Sequence, residues 1–379
     1  MPIPSADQPV VIAYVLAGIG HKRAAEALGG ALRARGHRAV HVVDILEYMP
    51  AWFRWFYPRG YLLCVHRLPW LWAILFSTTD HPWVERLARP GRRWSNRLLA
   101  RPFLRWLTEL KPAVLVCTHF LPPEVVGSWK TRHLPSLQLW SLVTDYRPHL
   151  WWVSEGVDRY FVGLEETRVA LQHLGVSQDR ITVSGIPVDG LFYAPADQAA
   201  QRRAHELLPD RLTLLVTSGG YGIGPVLRLC RSLGSIPDAA QGRLQVVVVA
   251  GDNPVLQQQL LAWSRTTKAL VRVLGFTRRM HELMVAADVI VTKPGGLTVT
   301  EAMVLLRPLL LFAPIWGQES GNAEILVHHG VARLLQRPED CGPLIARWLD
   351  HPEELSGMRA KLDAMRRQPA TDIVWSHLR

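Results

Sequence analysis

With 379 residues, 49% hydrophobic content and a formal net charge of +11, the chain exceeds one ordinary core and is too apolar to be disordered, so two domains are expected. The positive balance points to a polyanionic partner, either a nucleic acid or an anionic membrane face. Cys64, Cys117, Cys230 and Cys341 are scattered without CxxC or zinc spacing, which fits a reducing cytosol and argues against a structural metal.

In chain order, the polar, proline-containing start Met1–Pro9 predicts no cleaved signal. The continuous apolar run Val10–Leu16 then predicts a strand buried on both faces. Ala17-Gly18-Ile19-Gly20-His21 is the turn, Ala24–Ala34 a returning helix, and Ala39–Asp44 the second strand. No stretch reaches the ~18–20 apolar residues of a membrane span; Leu68–Phe76 is the nearest approach. Between Ala51 and Lys111 there are eleven Lys/Arg residues against Asp80, Glu85 and Glu109. Trp52, Phe53, Trp55, Phe56, Tyr57, Trp70, Trp72, Phe76, Trp83, Trp94, Phe103 and Trp106 are interleaved with them. That pattern suits an interfacial surface, where Trp sits at headgroup level and each Arg near anionic lipid contributes ~1 kcal/mol. Some of these aromatics must instead fill the core, and some arginines are ordinary solvated charge.

Further strands are expected at Val114–Cys117, Ser136–Val143, Arg159–Gly163 and Arg180–Ser184, giving a doubly wound parallel sheet. The turn-rich Pro187–Pro195 reads as an interdomain linker. The second half restarts with the strand Leu212–Thr217 and the glycine turn Ser218-Gly219-Gly220-Tyr221-Gly222-Ile223-Gly224. Its later strands fall at Gln245–Ala250, Val271–Leu274, Val289–Thr292 and Pro308–Phe312. The fold class is therefore α/β, with two Rossmann-like doubly wound lobes and a cleft between them where ligands would bind. The lobes divide at residues 1–187 and 188–379, with the last helix, about 353–379, free to pack back on the first lobe.

The segment Lys293-Pro294-Gly295-Gly296-Leu297-Thr298-Val299-Thr300-Glu301-Ala302 carries the most chemistry. It leaves a buried strand and opens an apolar helix, so glycine amides and the helix N-terminus favour an anion there. Thr298 is placed to donate to a phosphate and Glu301 to accept from ribose hydroxyls. Gln318-Glu319-Ser320-Gly321-Asn322 follows the next strand with polar side chains suited to a sugar. A plain glycine-capped turn is the competing explanation for either stretch alone, and their pairing favours a nucleotide-sugar site. Neither Gly18-Ile19-Gly20 nor Gly220-Tyr221-Gly222 completes GxGxxG, because Arg23 and Pro225 stand where the third glycine belongs. GxxxxGK[ST] is absent, so hydride transfer and P-loop hydrolysis lose their main support.

Several segments together carry a family resemblance. They are Gly18-x-Gly20-His21, Val143-Thr144-Asp145 before His149, Val183-Ser184-Gly185-Ile186-Pro187 and Ser218-Gly219-Gly220. To these are added Thr292-Lys293-x-Gly295-Gly296-x-Thr298-x-x-Glu301-Ala302 and Gly317-Gln318-Glu319-x-Gly321-Asn322. Over residues 10 to 340 the chain resembles the monogalactosyldiacylglycerol synthases and processive diacylglycerol glucosyltransferases. It is more distantly similar to the transferase that adds N-acetylglucosamine to the peptidoglycan lipid intermediate. The resemblance implies a GT-B fold of glycosyltransferase family 28 type, an inverting reaction and a UDP-sugar donor. It further implies that Gly219, Gly220, Gly295, Gly296 and Thr298 approach the phosphates, that Gly20 lines the donor site, that Phe276 lies by the uracil and that Glu301 holds the ribose. Gln318, Glu319 and Asn322 would then read the sugar hydroxyls. Ser320, often acidic in the family, and Pro294 depart from the pattern and leave the identity of the sugar open.

An inverting transfer needs a base, leaving-group stabilisation and in-line positioning. His21 is the candidate base, since imidazole titrates near working pH. Asp145 either orients His21 or is itself the base, although a turn or cap role suits an aspartate equally. His149 is an acceptor-side candidate. With no DxD pair in the chain, the glycine amides, the helix dipole before Thr298 and Lys293 or Arg278 would meet the charge, and no metal is expected. Trp52, Trp55, Arg59, Trp70 and Trp72 are expected to face the membrane and flank the acceptor groove. Single-stranded nucleic acid also suits aromatic–basic interleaving, but no RNA-binding signature accompanies it, and no nucleic acid is expected.

The leading expectation is a cytoplasmic enzyme, peripheral on the inner face of the cell membrane. It would transfer galactose or glucose from the UDP-sugar to diacylglycerol, with anionic lipids as partners. Three alternatives stay open: an N-acetylglucosamine transferase acting on a polyprenyl-linked acceptor, a UDP-sugar 2-epimerase, and a non-catalytic UDP-sugar-binding membrane regulator.

Overall fold

The computed structural model describes residues 8–220, 222–237, 240 and 242–378; Tyr221 of the glycine turn lies outside them. The chain divides into two compact units. One comprises residues 1–190, 315–321 and 367–379, and the other 191–314 and 322–366.

In the first unit, β1 (Val10–Tyr14), β2 (Val40–Asp44), β3 (Val114–Cys117), β4 (Gln138–Leu142), β5 (Arg159–Val162) and β6 (Ile181–Val183) form a parallel sheet in the order β2-β1-β3-β4-β5-β6. Strands buried on both faces carry unbroken apolar sequence, and every residue of β1 is buried. Val11, Ala13, Leu115 and Leu139 pack into a core on one face, while Val10, Ile12, Val114 and Trp140 pack into another. After β2 the chain crosses to the far side of β1, so the order reverses between β1 and β3. Ligands in open parallel sheets bind beyond the carboxyl ends of strands at such a reversal.

In the second unit, β7 (Leu212–Thr217), β8 (Leu244–Val249), β9 (Leu270–Leu274), β10 (Val289–Thr292), β11 (Leu309–Leu311) and β12 (Ala332–Leu334) give the parallel order β12-β11-β10-β7-β8-β9. The reversal here lies between β7 and β10. The short edge strand β12 carries too little apolar sequence to have been recognised beforehand.

Residues 51–110 fold into four successive helices: Ala51–Arg67, Pro69–Thr79, Pro82–Leu99 and Arg101–Leu110. Pro69, Pro82 and Pro102 stand in the first turns of the last three, where proline's missing N–H costs nothing. The end of the chain departs from the single helix expected over 353–379. Two helices, Pro352–Ala364 and Ala370–Ser376, flank Pro369, which cannot continue a helix from the residue before it. Only residues 367–379 belong with the first unit. The first helix also starts earlier than expected, at Ile19 rather than Ala24. His21 therefore sits in a helical first turn, not in a loop.

Candidate active site

The site of the first unit is assembled at the reversal point. His21 follows β1, Thr118 and His119 follow β3, and Thr144 and Asp145 follow β4. The Nδ1 of His21 lies 2.7 Å from the Thr118 carbonyl and 2.9 Å from the Thr144 hydroxyl. A carbonyl only accepts, so Nδ1 carries the proton and Nε2 keeps its lone pair. The Thr118 hydroxyl in turn donates to the His21 carbonyl at 2.9 Å, tying the helix to the end of β3. His21 is half-buried as a residue, and burial of its ring lowers the pKa to about 4 against the opposing Thr118 hydrogen bond. The imidazole is thus neutral at pH 7 and presents an unprotonated nitrogen, as a general base requires. The sequence reading named His21 but not the main-chain carbonyl that fixes its tautomer, because a carbonyl is not a residue type.

Asp145 is buried, with Oδ2 accepting from Trp152 Nε1 at 3.3 Å and Oδ1 facing Gln318 Nε2 at 3.5 Å. The Oε1 of Gln318 accepts from Tyr61 at 3.3 Å. The sequence reading placed Gln318 and Glu319 in the second lobe, whereas 315–321 groups with the first unit. The physical reason is local contact: Trp72 Nε1 donates to Trp316 O at 3.3 Å, and a Cβ on Gly317 would stand 2.2 Å from the Phe76 ring. Glu319 Oε2 accepts from Ile315 N at 2.8 Å, which closes the turn entering the helix Gln318–His328.

His149 is buried too. Its Nδ1 accepts from Trp151 N at 3.1 Å, its Nε2 lies 3.0 Å from the Phe76 carbonyl, and its ring packs 4.4 Å from that of Phe76. Burial lowers its pKa despite nearby Asp80. A neutral ring with both nitrogens engaged anchors the end of the helix Pro69–Thr79.

The aromatic segment divides by face. Trp52, Trp55, Phe56, Trp70, Ile74, Trp83 and Trp94 are exposed, most near 60%, and Arg59 lies over the Trp55 ring at 4.6 Å. Trp72 is half-buried and Phe103 fully buried. Of the eleven basic residues, Arg89, Arg92, Arg93 and Arg97 are engaged internally. Arg89 and Arg92 hold buried Glu85 at 2.8 and 2.6 Å, Arg92 also holds Glu124 at 2.7 Å, Arg93 pairs with Glu155 and Arg97 bonds Val125 O. Arg54, Arg59, Arg67, Arg86, Arg101, Arg105 and Lys111 are left exposed.

In the second unit, the two glycine segments follow the adjacent strands β7 and β10. Gly219, Gly222 and Gly224 take positive φ, which glycine adopts at least cost. A Cβ on Gly222 would lie 1.9 Å from Ala250 O, and one on Gly251 2.5 Å from Gly220 O. Asp252 N donates to Gly220 O at 2.8 Å and Asn253 Nδ2 to Gly222 O at 3.2 Å, bracing the turn from below. A Cβ on Gly219 would meet nothing within 4 Å, so the turn is open there. Gly295 precedes the helix Gly296–Val304, in which Thr298 is half-buried and Glu301 buried. Asn322 is fully buried and donates to Pro294 O at 3.0 Å, which makes it a brace of the glycine loop. Phe276 is exposed after β9.

Two doubly wound parallel sheets, each with polar or glycine-rich turns at its reversal point, make up a GT-B fold. Solved structures agree in fold. MurG of Acinetobacter baumannii matches with a TM-score of 0.61 at 16% identity over 98% of this chain and 99% of its own. SnogD from Streptomyces nogalater matches at 0.61 with 15% identity over 98% and 100%. Anabaena Alr3699/HepE in complex with UDP matches at 0.58 with 13% identity over 98% and 99%. Residues 21–188 match monogalactosyldiacylglycerol (MGDG) synthase, and residues 213–347 match the glycosyltransferase family 28 C-terminal domain. The processive diacylglycerol beta-glucosyltransferases of Bacillus thuringiensis (strain Al Hakam) and Bacillus cereus (strain AH820) are each 27% identical over 363 residues, covering 94% of this chain and 90% of theirs. These matches make the chain a glycosyltransferase similar along nearly its whole length to the diacylglycerol glucosyltransferases. Among the described residues, no helix is long and apolar enough to cross a membrane.

Proposed function

We propose that this chain transfers galactose or glucose from UDP-galactose or UDP-glucose to the hydroxyl of diacylglycerol, with inversion, while resting on the inner face of the cell membrane. Its relatives carry the name of that acceptor and of a glucosyl transfer, and the two matched domains account for most of its length. The observation that carries the mechanism is His21, neutral, with Nδ1 committed to Thr118 O. Its Nε2 takes the proton of the acceptor hydroxyl as the oxygen attacks the anomeric carbon and the bond to UDP breaks. Asp145, held by Trp152, is the alternative base. The departing diphosphate gains negative charge, and the second unit offers the Gly219–Gly220 turn and the N-terminus of the helix Gly296–Val304 to meet it. Glu301 is assigned to the ribose and Gln318 to the sugar hydroxyls. The exposed Trp52, Trp55 and Trp70 with Arg59 support contact with an anionic surface, as the chemistry of headgroup and acyl boundary favours Trp beside Arg.

The test is to incubate the purified protein with each UDP-hexose and diacylglycerol in anionic vesicles, then resolve the lipids by mass spectrometry. A hexosyl-diacylglycerol made by the wild type and lost in His21→Ala, with UDP binding retained, is the expected result. UDP binding with no transfer to diacylglycerol from either donor would overturn the proposal.

A further inference from the structure

The mechanism above leaves His119, a buried neighbour of His21, without a task. His119 is only 3% exposed and stands at the end of β3, with its ring edge-on to His21 at a centroid distance of 4.8 Å. Its Nδ1 accepts from the backbone N–H of Leu121 at 3.1 Å. Burial, with His21 beside it, holds the ring's pKa well below the ordinary value, so the imidazole is neutral. A neutral ring whose Nδ1 accepts must carry its proton on Nε2. That N–H is not among the buried polar atoms left without a partner; with no bond to a described side chain or main-chain group, it reaches solvent beside His21, where a ligand can meet it.

The neighbouring His21 is the mirror case. Its Nδ1 is the protonated nitrogen and its Nε2 the free lone pair. The ends of β1 and β3 therefore offer, side by side, one unpartnered acceptor and one unpartnered donor. A hydroxyl group is the simplest ligand that satisfies both: it donates to the first and accepts from the second. We infer that His119 Nε2–H binds the oxygen of the acceptor hydroxyl while His21 Nε2 receives its proton. One oxygen lone pair is then held by His119 and the other is left to attack. His119 is on this account a substrate-positioning residue, and the inference rests on the reading of His21 as the base.

The two nitrogens of His119 are separable by substitution. Asparagine places an amide oxygen near the Nδ1 position, keeping the bond from Leu121 N, but does not reach the Nε2 position. Glutamine reaches the Nε2 position with a donor and gives up the Nδ1 acceptor. His119→Asn is expected to lower kcat/KM for diacylglycerol about tenfold or more, the worth of one hydrogen bond to a reacting group, with UDP binding and thermal midpoint held near wild type. His119→Gln is expected to retain more transfer activity than His119→Asn even where its midpoint is lower. If His119 only caps the turn at Leu121, the order reverses, with asparagine active and glutamine impaired, and the inference is overturned. Activity in His21→Ala would instead overturn the reading beneath it. His119→Asn at wild-type rate beside an inactive His21→Ala would remove this inference alone.

Discussion

At the residue scale the site turns on proton placement. His21 lies in the first turn of a helix, whose N-terminal dipole disfavours an imidazolium, and burial lowers its pKa to about 4. If it is the base, kcat/KM should keep its value as pH falls through 6.5 and decline only near pH 4, provided the protein stays folded; a decline centred at 6.5 would exclude it. Folding responds in the same window. The folded ring's pKa lies below the unfolded value, so the unfolded chain takes up the proton first. The stability contribution is full above pH 6.5 and is lost as pH falls toward 4, by up to about 3 kcal/mol. Urea titrations at pH 7 and pH 5 in wild type and His21→Gln would separate this contribution from other acid-labile groups. What the sequence could show here was the residue type on a glycine-flanked turn. The tautomer was hidden, because it depends on a carbonyl 97 residues away brought beside His21 by the β1–β3 pairing. Asn322 was hidden for a related reason: an amide suited to a sugar hydroxyl suits a buried carbonyl as well, and Pro294 O claims it.

At the element scale, the basic aromatic segment behaves as two populations. Arg92 bridges buried Glu85 and Glu124 and thereby fastens the helix Pro82–Leu99 to the helix Leu121–His133. Without Arg92, buried Glu124 loses its ion pair while Glu85 keeps Arg89, so Arg92→Met should cost up to about 3 kcal/mol in denaturant unfolding, whereas Arg86→Met, on an exposed arginine, should stay within about 0.5 kcal/mol. Equal effects would mean that the network contributes nothing particular. The glycine turn gives a second test. Gly222 combines φ 58° with a Cβ position 1.9 Å from Ala250 O, so Gly222→Ala forces the braced turn apart. It should weaken UDP binding by tenfold or more, while Gly234→Ala, where a Cβ meets open space, leaves it unchanged. The long buried strands were legible from unbroken apolar runs, and so were the glycine turns that follow β7 and β10. Of the four helices over 51–110, Arg101–Leu110 buries Phe103, Leu104 and Leu107 on one face, but Ala51–Arg67 and Pro69–Thr79 were not legible, because their apolar residues do not gather on one face. Trp70 and Ile74 lie exposed on a helix with no buried residue, which blurs the 3.6-residue stripe that marks an amphipathic helix.

At the scale of the whole molecule, a net charge of +11 and a cluster of exposed tryptophans make separable contributions to surface binding. Seven basic residues of the segment remain exposed after the internal pairs are counted, and each near an anionic surface contributes ~1 kcal/mol that fades within a Debye length of ~8–10 Å at physiological salt. Exposed Trp rings bury apolar area instead, at ~25 cal/mol per Å², and that contribution is insensitive to salt. Vesicle flotation of the wild type should therefore fall as salt rises from about 0.05 to 0.5 M but retain a residual bound fraction. Trp55→Ser combined with Trp70→Ser should lower the residual fraction at high salt and leave the steepness of the salt dependence unchanged. Both side chains are about 60% exposed, so the thermal midpoint should shift by no more than a degree or two. Arg54→Gln with Arg59→Gln should do the opposite, flattening the salt dependence and sparing the residue bound at high salt. If both variants bind neutral and anionic vesicles like the wild type at every salt concentration, the helices Ala51–Arg67 and Pro69–Thr79 are not the docking surface.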